Sequence, residues 1–438
     1  MMTDPASTQE LRTRVRGLMP GITSELETLV AIPSVSVPGY PESTHAALAA
    51  AQHEVTRVFT DSGIEHFDTI DLPGTAPIVF GEIPAPPGAP TVLLYGHYDV
   101  VGAGDDSLWN TSPFVPTMID GAIRAWGGRP PVGIKVVVEG LEEVGGGAFT
   151  TYPQTDPTRF ASDVMVIADM GNMRPGVPTL TVGLRGMANV EIEVRTLGSA
   201  KHSGQYGGAA PDALLALMRG IASLHDDRGD VAVAGLRRDP WTGGGPSDDE
   251  FRSLAEVTDG VPLIGTGTLG ERIWTGPAIT VIGVDVPSVD NALNAVSPYA
   301  RAKLNVRVHP EQDPREAQDA MIRHLRDAMP FGIALMVTGL ETGYGYAAKV
   351  DGPVYDIARS VWADAWETET VQIGAGGSIP LVRSLHEAAP AADILLVGCT
   401  DGYSNIHGPN ERVLLDELER TTLAIADLFG RLGARSSV

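Results

Sequence analysis

Four short apolar runs constrain this chain most: TVLLYG (91–96), IKVVVEG (134–140), DVMVIAD (163–169) and DILLVG (393–398). Runs of this length, apolar almost throughout, suit strands buried on both faces. Helical patterns lie between or beside them. Leu11, Val15, Leu18, Ile22, Leu26 and Leu29 recur at helical spacing, with a kink expected at Pro20-Gly21. Residues 43–61, 353–366 and 411–430 read as further helices. Strands alternating with helices predict an α/β fold, a mixed and mostly parallel sheet sandwiched by helices.

The middle of the chain has a different rhythm. MANVEIEVRT (187–196) and YARAKLNVRVHP (299–310) alternate, which suits strands with one wet face. Helices are expected at 211–225 and 313–328, and a short strand at 333–339. This set predicts a separate α+β domain inserted into the first. The expected boundaries are 1–184 for the first part of the α/β domain, 185–310 (or on to about 340) for the insertion, and 341–438 for the remainder. DPWTGGGPSDDE (239–250) reads as a surface loop and GEIPAPPGAP (81–90) as the end of a hairpin.

Composition narrows the function classes. A length of 438 residues suits two domains, and 43% hydrophobic with 20% charged residues is usual for a soluble globular protein. The formal charge of −24 argues against nucleic acid or an anionic membrane as partner. Cys399 is the single cysteine, so neither an intrachain disulfide nor a cysteine-cluster metal site is available. No apolar run approaches a membrane span, and the first residues lack the order of a signal peptide. These features favour the cytoplasm.

In open α/β sheets, ligands gather at the carboxyl ends of strands. Here those ends carry His97 and Asp99, the run Glu139-Gly140-Leu141-Glu142-Glu143, Asp169, and, in CTDGYSNIHGPNERV, His407. A His-x-Asp pair alone is common, and paired glutamates are usually a solvated helix start. Together at four strand ends, they point to metal chemistry. An imidazole can ligate through one nitrogen while a carboxylate fixes the other. Of two adjacent glutamates, one can ligate while the other serves as general base on a water whose pKa the ion lowers to about 7. Histidine and carboxylate donors without thiolate suit Zn²⁺, with Mn²⁺ or Co²⁺ as alternatives.

The chain resembles the di-zinc metallopeptidase and deacylase family over nearly its whole length. That family includes carnosinase-like dipeptidases, glutamate carboxypeptidase, acetylornithine deacetylase, succinyl-diaminopimelate desuccinylase and aminoacylase. The matching stretches, in order, are YGHYDV, WNTSPFVPTMIDG, EGLEEVG, VIADMGN, RGMANVEIEV, KHSGQYGG, NVRVHPEQDP, GAGGSIP and SNIHGPNERV. The resemblance implies two divalent metal ions, one on His97 and Asp169 and the other on Glu143 and His407. It makes Asp99 the residue that orients His97, and Glu142 the general base. The insertion becomes a lid and dimerisation domain, with His202 reaching the partner subunit's active site to stabilise the oxyanion. Asn294, Arg307 and the loop Gly376-Gly377-Ser378 become substrate-binding groups, Arg307 gripping a carboxylate.

One part of the pattern is absent. After a hairpin like MIDG the family has Gly-Arg-Gly-x-x-Asp-x-Lys-Gly and then a long helix, and that aspartate bridges both metals. Here Asp120-Gly121 runs directly into AIRAWGGRPP, which matches the end of that helix. Losing the helix should uncover strand 134–138, and losing the bridge should separate two cations that need a shared negative charge. The expectation is therefore a segment between Gly121 and Ala122 that this sequence omits. The reading is a cytoplasmic, homodimeric metallopeptidase that cleaves dipeptides or short peptides. Its alternatives are an N-acyl-amino-acid deacylase or, if the deletion is real, a metal-poor binding protein.

Overall fold

A computed structural model describes residues 5–110, 114, 130–377 and 379–435. The junction of Gly121 and Ala122, Asp120 and Ser378 lie outside the described residues. The chain divides into two compact units, the first comprising the chain up to Val182 with Ala348–Ile373 and the chain from Pro380, the second Gly183–Ala347 with Gly374–Ile379.

Strands are numbered along the chain. The first unit contains β1 (Phe67–Ile70), β2 (Ile78–Ile83), β3 (Thr91–His97), β4 (Gly133–Glu139), β5 (Val164–Ile167), β6 (Gly171–Asn172) and β7 (Thr179–Leu184). The last two residues of β7 pass into the second unit, which continues with β8 (Gly186–Arg195), β9 (Lys201–His202), β10 (Ala278–Asp285), β11 (Ala295–Val296), β12 (Tyr299–Val308), β13 (Leu335–Gly343) and β14 (Tyr346–Ala347). β15 (Val371–Ala375) spans the second boundary, and β16 (Asp393–Leu396) and β17 (Thr400–Asp401) complete the first unit.

The first unit's sheet runs in the order β1-β2-β4-β3-β5-β16-β7. Its centre, β4-β3-β5-β16, is parallel, and the flanking pairs are antiparallel. Parallel strands place their carboxyl ends on one edge, so His97, Glu139 and the residue after Ile167 emerge together. The 81–90 connection is not a hairpin end: β2 and β3 are separated by β4, which pairs with both (Val79 with Val138, Leu94 with Val136). The helix Pro5–Val30 runs through Pro20 as a single element. It buries Leu11 and Val15 against a core that also holds Leu48, Val55, Val136, Val138, Trp362 and Phe429. Burying each such side chain contributes about 1.5–3 kcal/mol.

Strand 134–138 is not uncovered. Every residue of β4 is buried. Ile134, Val136 and Val138 face the main core, while Lys135 on the opposite face donates to the carbonyls of Arg159 and Ala161, each at 2.9 Å. The 147–161 segment, with Phe149 and Phe160 fully buried, supplies the carbonyls that Lys135 meets on that face.

The second unit is an antiparallel sheet in the order β10-β12-β8-β13. The helices Ala213–Ala222 and Pro314–Ala328 share an apolar core with β8 and β12. β12 alternates strictly between half-buried and buried residues, as its sequence predicts. The 239–250 stretch is not loop throughout. Its last residues open the helix Asp248–Leu254, started by a capping box between Ser247 and Glu250. Among the described residues no helix is long and apolar enough to cross a membrane.

Candidate active site

His97 is the last residue of β3, facing Glu139 at the end of β4. Its Nδ1 lies 2.9 Å from the carbonyl oxygen of Asp99 and 3.3 Å from Asp99 Oδ1. A carbonyl only accepts, so Nδ1 carries a hydrogen and Nε2 is the nitrogen turned away from this contact. Nε2 stands 3.5 Å from Asp169 Oδ1, just past β5. Burial opposes charge on this imidazole, but hydrogen bonds and the fields of Asp169 and Asp99 outweigh it and hold its pKa well above the ordinary value.

Asp99 has a second task. Buried to 1% exposure, it accepts the backbone N–H of Glu142 at Oδ1 and of Glu143 at Oδ2, both at 3.1 Å. One carboxylate therefore fixes both the histidine and the short helical turn Glu142–Val144 that presents the paired glutamates. Donor atoms of His97, Glu142 and Glu143 all lie within 4.8 Å of one another. Burial, then the charges of Asp169, Glu143 and Asp99, push the Glu142 carboxyl up to about 7, with His97 pulling the other way. Burial also raises Glu143. His407 Nε2 sits 3.0 Å from Glu143 Oε2. Carboxylates that burial, and then their neighbours' charges, keep from ionising, facing two imidazoles, form a donor set that fits a divalent cation, which would relieve their repulsion.

The loops carrying Asp169 and His407 are stitched together by β6 and β17, a parallel ladder pairing Gly171 with Thr400 and Asn172 with Asp401. Gly398 leaves no room for a side chain, since a Cβ there would fall 1.4 Å from the carbonyl oxygen of Met170. His407 itself adopts φ of 62°, between Asn405 at 55° and Asn410 at 61°. Buried Asp401 anchors this strained loop through a two-pronged pair with Arg412, both contacts at 3.2 Å.

The remaining expected residues belong to the second unit. β9 and β11 pair His202 with Ala295, and Ser203 donates its N–H to the Asn294 carbonyl at 2.9 Å, so His202 and Asn294 are brought side by side. His202 Nδ1 accepts the Gly204 N–H at 3.1 Å, which leaves the hydrogen on Nε2. Arg307 is half-buried on β12, and Gly376 and Gly377 follow β15.

Residues 182–332 match the peptidase dimerisation domain of the M20 family. A cysteinylglycine-S-conjugate dipeptidase of Corynebacterium striatum is 36% identical over 367 residues, 78% of this chain and 81% of the relative. The chain belongs to the M20 family of metallopeptidases. Human beta-Ala-His dipeptidase is 26% identical over 77% of this chain and 74% of its own length. The crystal structure of human carnosine dipeptidase 1 shares the fold, with a TM-score of 0.78 at 22% identity over 99% of this chain and 100% of that one.

In this M20 chain, several groups at the site were assigned no role from the sequence. Glu139 is 2% exposed, accepts the Tyr95 hydroxyl at 2.8 Å, and is pushed up to about 8, chiefly by burial. Its place at a strand end was the only available signal. Asn410 accepts the Asn110 N–H at 2.6 Å and donates to the Leu108 carbonyl at 3.2 Å, tying the His407 loop to the segment after β3. Nothing in the spacing marks Asn410 or the Asp401–Arg412 pair.

Proposed function

We propose that this M20 chain is a dipeptidase, hydrolysing the amide bond of dipeptides or short peptides with Glu142 as general base. The observation that carries the reading is the meeting of His97, Glu142 and Glu143 around one point, flanked by Asp169 and His407. His97 with Asp169 would hold one divalent ion and Glu143 with His407 a second. Zn²⁺ is favoured by the donor types, with Mn²⁺ or Co²⁺ as alternatives, and bound ions would polarise the scissile carbonyl and acidify the attacking water.

The chain's own groups perform the rest. Glu142, with a carboxyl held near neutrality, takes the proton from water and delivers it to the leaving nitrogen. Asp99 keeps the two glutamates and His97 in register. His202, its hydrogen on Nε2, donates to the oxyanion in the partner subunit's site. Asn294, Arg307, Gly376, Gly377 and Ser378 hold the substrate, Arg307 by its carboxylate.

A homodimer through the inserted unit is part of this proposal. It is supported by the family match and by the exposed apolar residues Ile282 and Val284 of edge strand β10. The names of the relatives favour dipeptides over N-acyl amino acids, and charge and cysteine usage favour the cytoplasm. Metal content and turnover test the reading together. Two ions per chain with cleavage of dipeptides, but not of acetyl- or succinyl-amino acids, is the expected result. Preference for the acylated substrates would make the chain a deacylase. At most one weakly held ion and no turnover would make it a binding protein.

A further inference from the structure

Glu417 lies in the first turn of the helix Leu415–Arg435 and is 1% exposed. Its carboxylate is the meeting point of three parts of the first unit. Oε2 accepts the Asn172 side-chain amide at 2.8 Å and the Trp366 indole N–H at 2.9 Å. Oε1 accepts the Gly176 backbone N–H and Arg420 Nη1, both at 3.0 Å. Asn172 and Gly176 belong to the turn that follows Asp169, Trp366 ends the helix Pro353–Trp366, and Arg420 lies one turn further along Glu417's own helix. All of these residues fall within the first unit.

A buried carboxylate is a poor fastener for a helix. Apolar side chains of similar volume often hold as well or better, and buried polar groups are best attested where they fix a register. Leu423 and Phe429 already seat this helix in the main core. What Glu417 adds is direction, and its bonds to the chain after β5 run toward the site. Asn172 uses both ends of its amide: Nδ2 donates to Glu417, and Oδ1 accepts the Thr179 N–H at 3.0 Å. Asn172 is also the residue that β6 pairs with Asp401 of β17, ahead of His407. Asp169 stands three residues before Asn172, with Nε2 of His97 at 3.5 Å. The carboxylate thus holds the residue that joins the Asp169 turn to the His407 loop.

We propose that Glu417 is a positioning residue for the metal centre: through Asn172 it sets where Asp169 and the β6–β17 ladder come to rest, and so the spacing of the two proposed ligand loops. This rests on the reading of the site as a metallopeptidase centre. Glu417 acts through Asn172 rather than on an ion or a substrate. Its loss should therefore be felt in metal affinity and coordination, and not in stability alone.

The test uses the full chain, metal-free and titrated with Zn²⁺ or Co²⁺ well below every variant's melting midpoint. Glu417→Gln keeps the shape but turns one acceptor into a donor that faces donors. It should weaken metal binding by about 10–100-fold, the usual effect of losing a group that orients ligands. Asn172→Asp leaves Oδ1 for Thr179 but sets a second carboxylate against Glu417, and should weaken binding similarly. Its added negative charge alone would favour a cation, so a loss there reports geometry. Asn172→Asp combined with Glu417→Gln restores the bond between the two positions with donor and acceptor exchanged, and keeps the net charge. This double variant should regain most of the lost affinity and the wild-type visible spectrum of bound Co²⁺, although Trp366 then faces a donor. Trp366→Phe removes a Glu417 bond on the side away from the Asp169 turn. It should lower the thermal midpoint and leave metal affinity at the wild-type value.

Wild-type affinity in Glu417→Gln, or no recovery in the double variant, overturns the proposal. So does a loss in Trp366→Phe as large as in Glu417→Gln, because any loosening of this helix would then suffice. Should Glu417→Gln fail to fold, Asn172→Asp against Trp366→Phe decides. A metal defect confined to Asn172→Asp upholds the positioning role; its absence, or failure of Asn172→Asp to fold as well, overturns it. A wild type that binds neither ion sinks the metal-centre reading and the proposal with it. A wild type that binds them but cleaves no dipeptide sinks the dipeptidase reading alone.

Discussion

At the scale of single residues, both oxygens of Asp99 are committed to the N–H groups of Glu142 and Glu143. Asparagine there would turn one acceptor into a donor facing a donor. Asp99→Asn should therefore weaken metal binding by about 10–100-fold in a metal titration, the usual effect of losing a group that orients ligands. Glu142→Gln should keep most metal affinity but lower kcat by about 10²–10⁴-fold, as expected for a lost general base. The site also sets a pH dependence. Burial holds Glu142 at about 7 and Glu139 at about 8, both above an ordinary 4.5. Between those values the folded chain keeps protons that the unfolded chain has released, so metal-free stability should fall as pH rises from about 5 to 8. Thermal unfolding with a chelator across that range checks the sign, and added metal should restore stability at the alkaline end. His97, Asp99 and the paired glutamates were legible only in conjunction, because four strand ends of one sheet carry such residues together. The bond from Asp99 to the glutamate turn was not legible, because it joins backbone atoms 43 and 44 residues away.

At the scale of elements, the loops that carry the proposed ligands Asp169 and His407 are legible one by one and illegible as a pair. The apolar runs announce β3, β4, β5 and β16 because strands buried on both faces cannot alternate. Which strand neighbours which is decided by tertiary pairing, so the insertion of β4 between β2 and β3 left no local trace. The two-residue ladder of β6 and β17 is likewise too short for any periodicity. Gly398→Ala tests that junction. Its side chain would collide with the Met170 carbonyl, so the variant should lose stability and bind metal poorly, by displacing the Asp169 and His407 loops together. Arg412→Gln should cost about 1–3 kcal/mol in denaturant unfolding by leaving the Asp401 carboxylate underpaired, somewhat less if water reaches the half-exposed arginine.

For the molecule as a whole, the insertion is recognisable because its strands alternate where those of the first unit do not. The proposed dimer makes a prediction at this scale. Ile282→Lys on exposed β10 should shift the mass in solution from twice the 46.1 kDa chain toward a single copy, and light scattering would register it. A mutant that stays dimeric would place the interface elsewhere. The β6–β17 ladder also has a consequence for how the protein is made. His97, Glu142, Glu143 and Asp169 leave the ribosome early, followed by the whole second unit, and only then by Thr400, Asp401 and His407. A nascent chain thus carries half of a clasp through most of its synthesis. The ladder that joins Gly171 to Thr400 and Asn172 to Asp401 can therefore close only after the whole second unit has been synthesised.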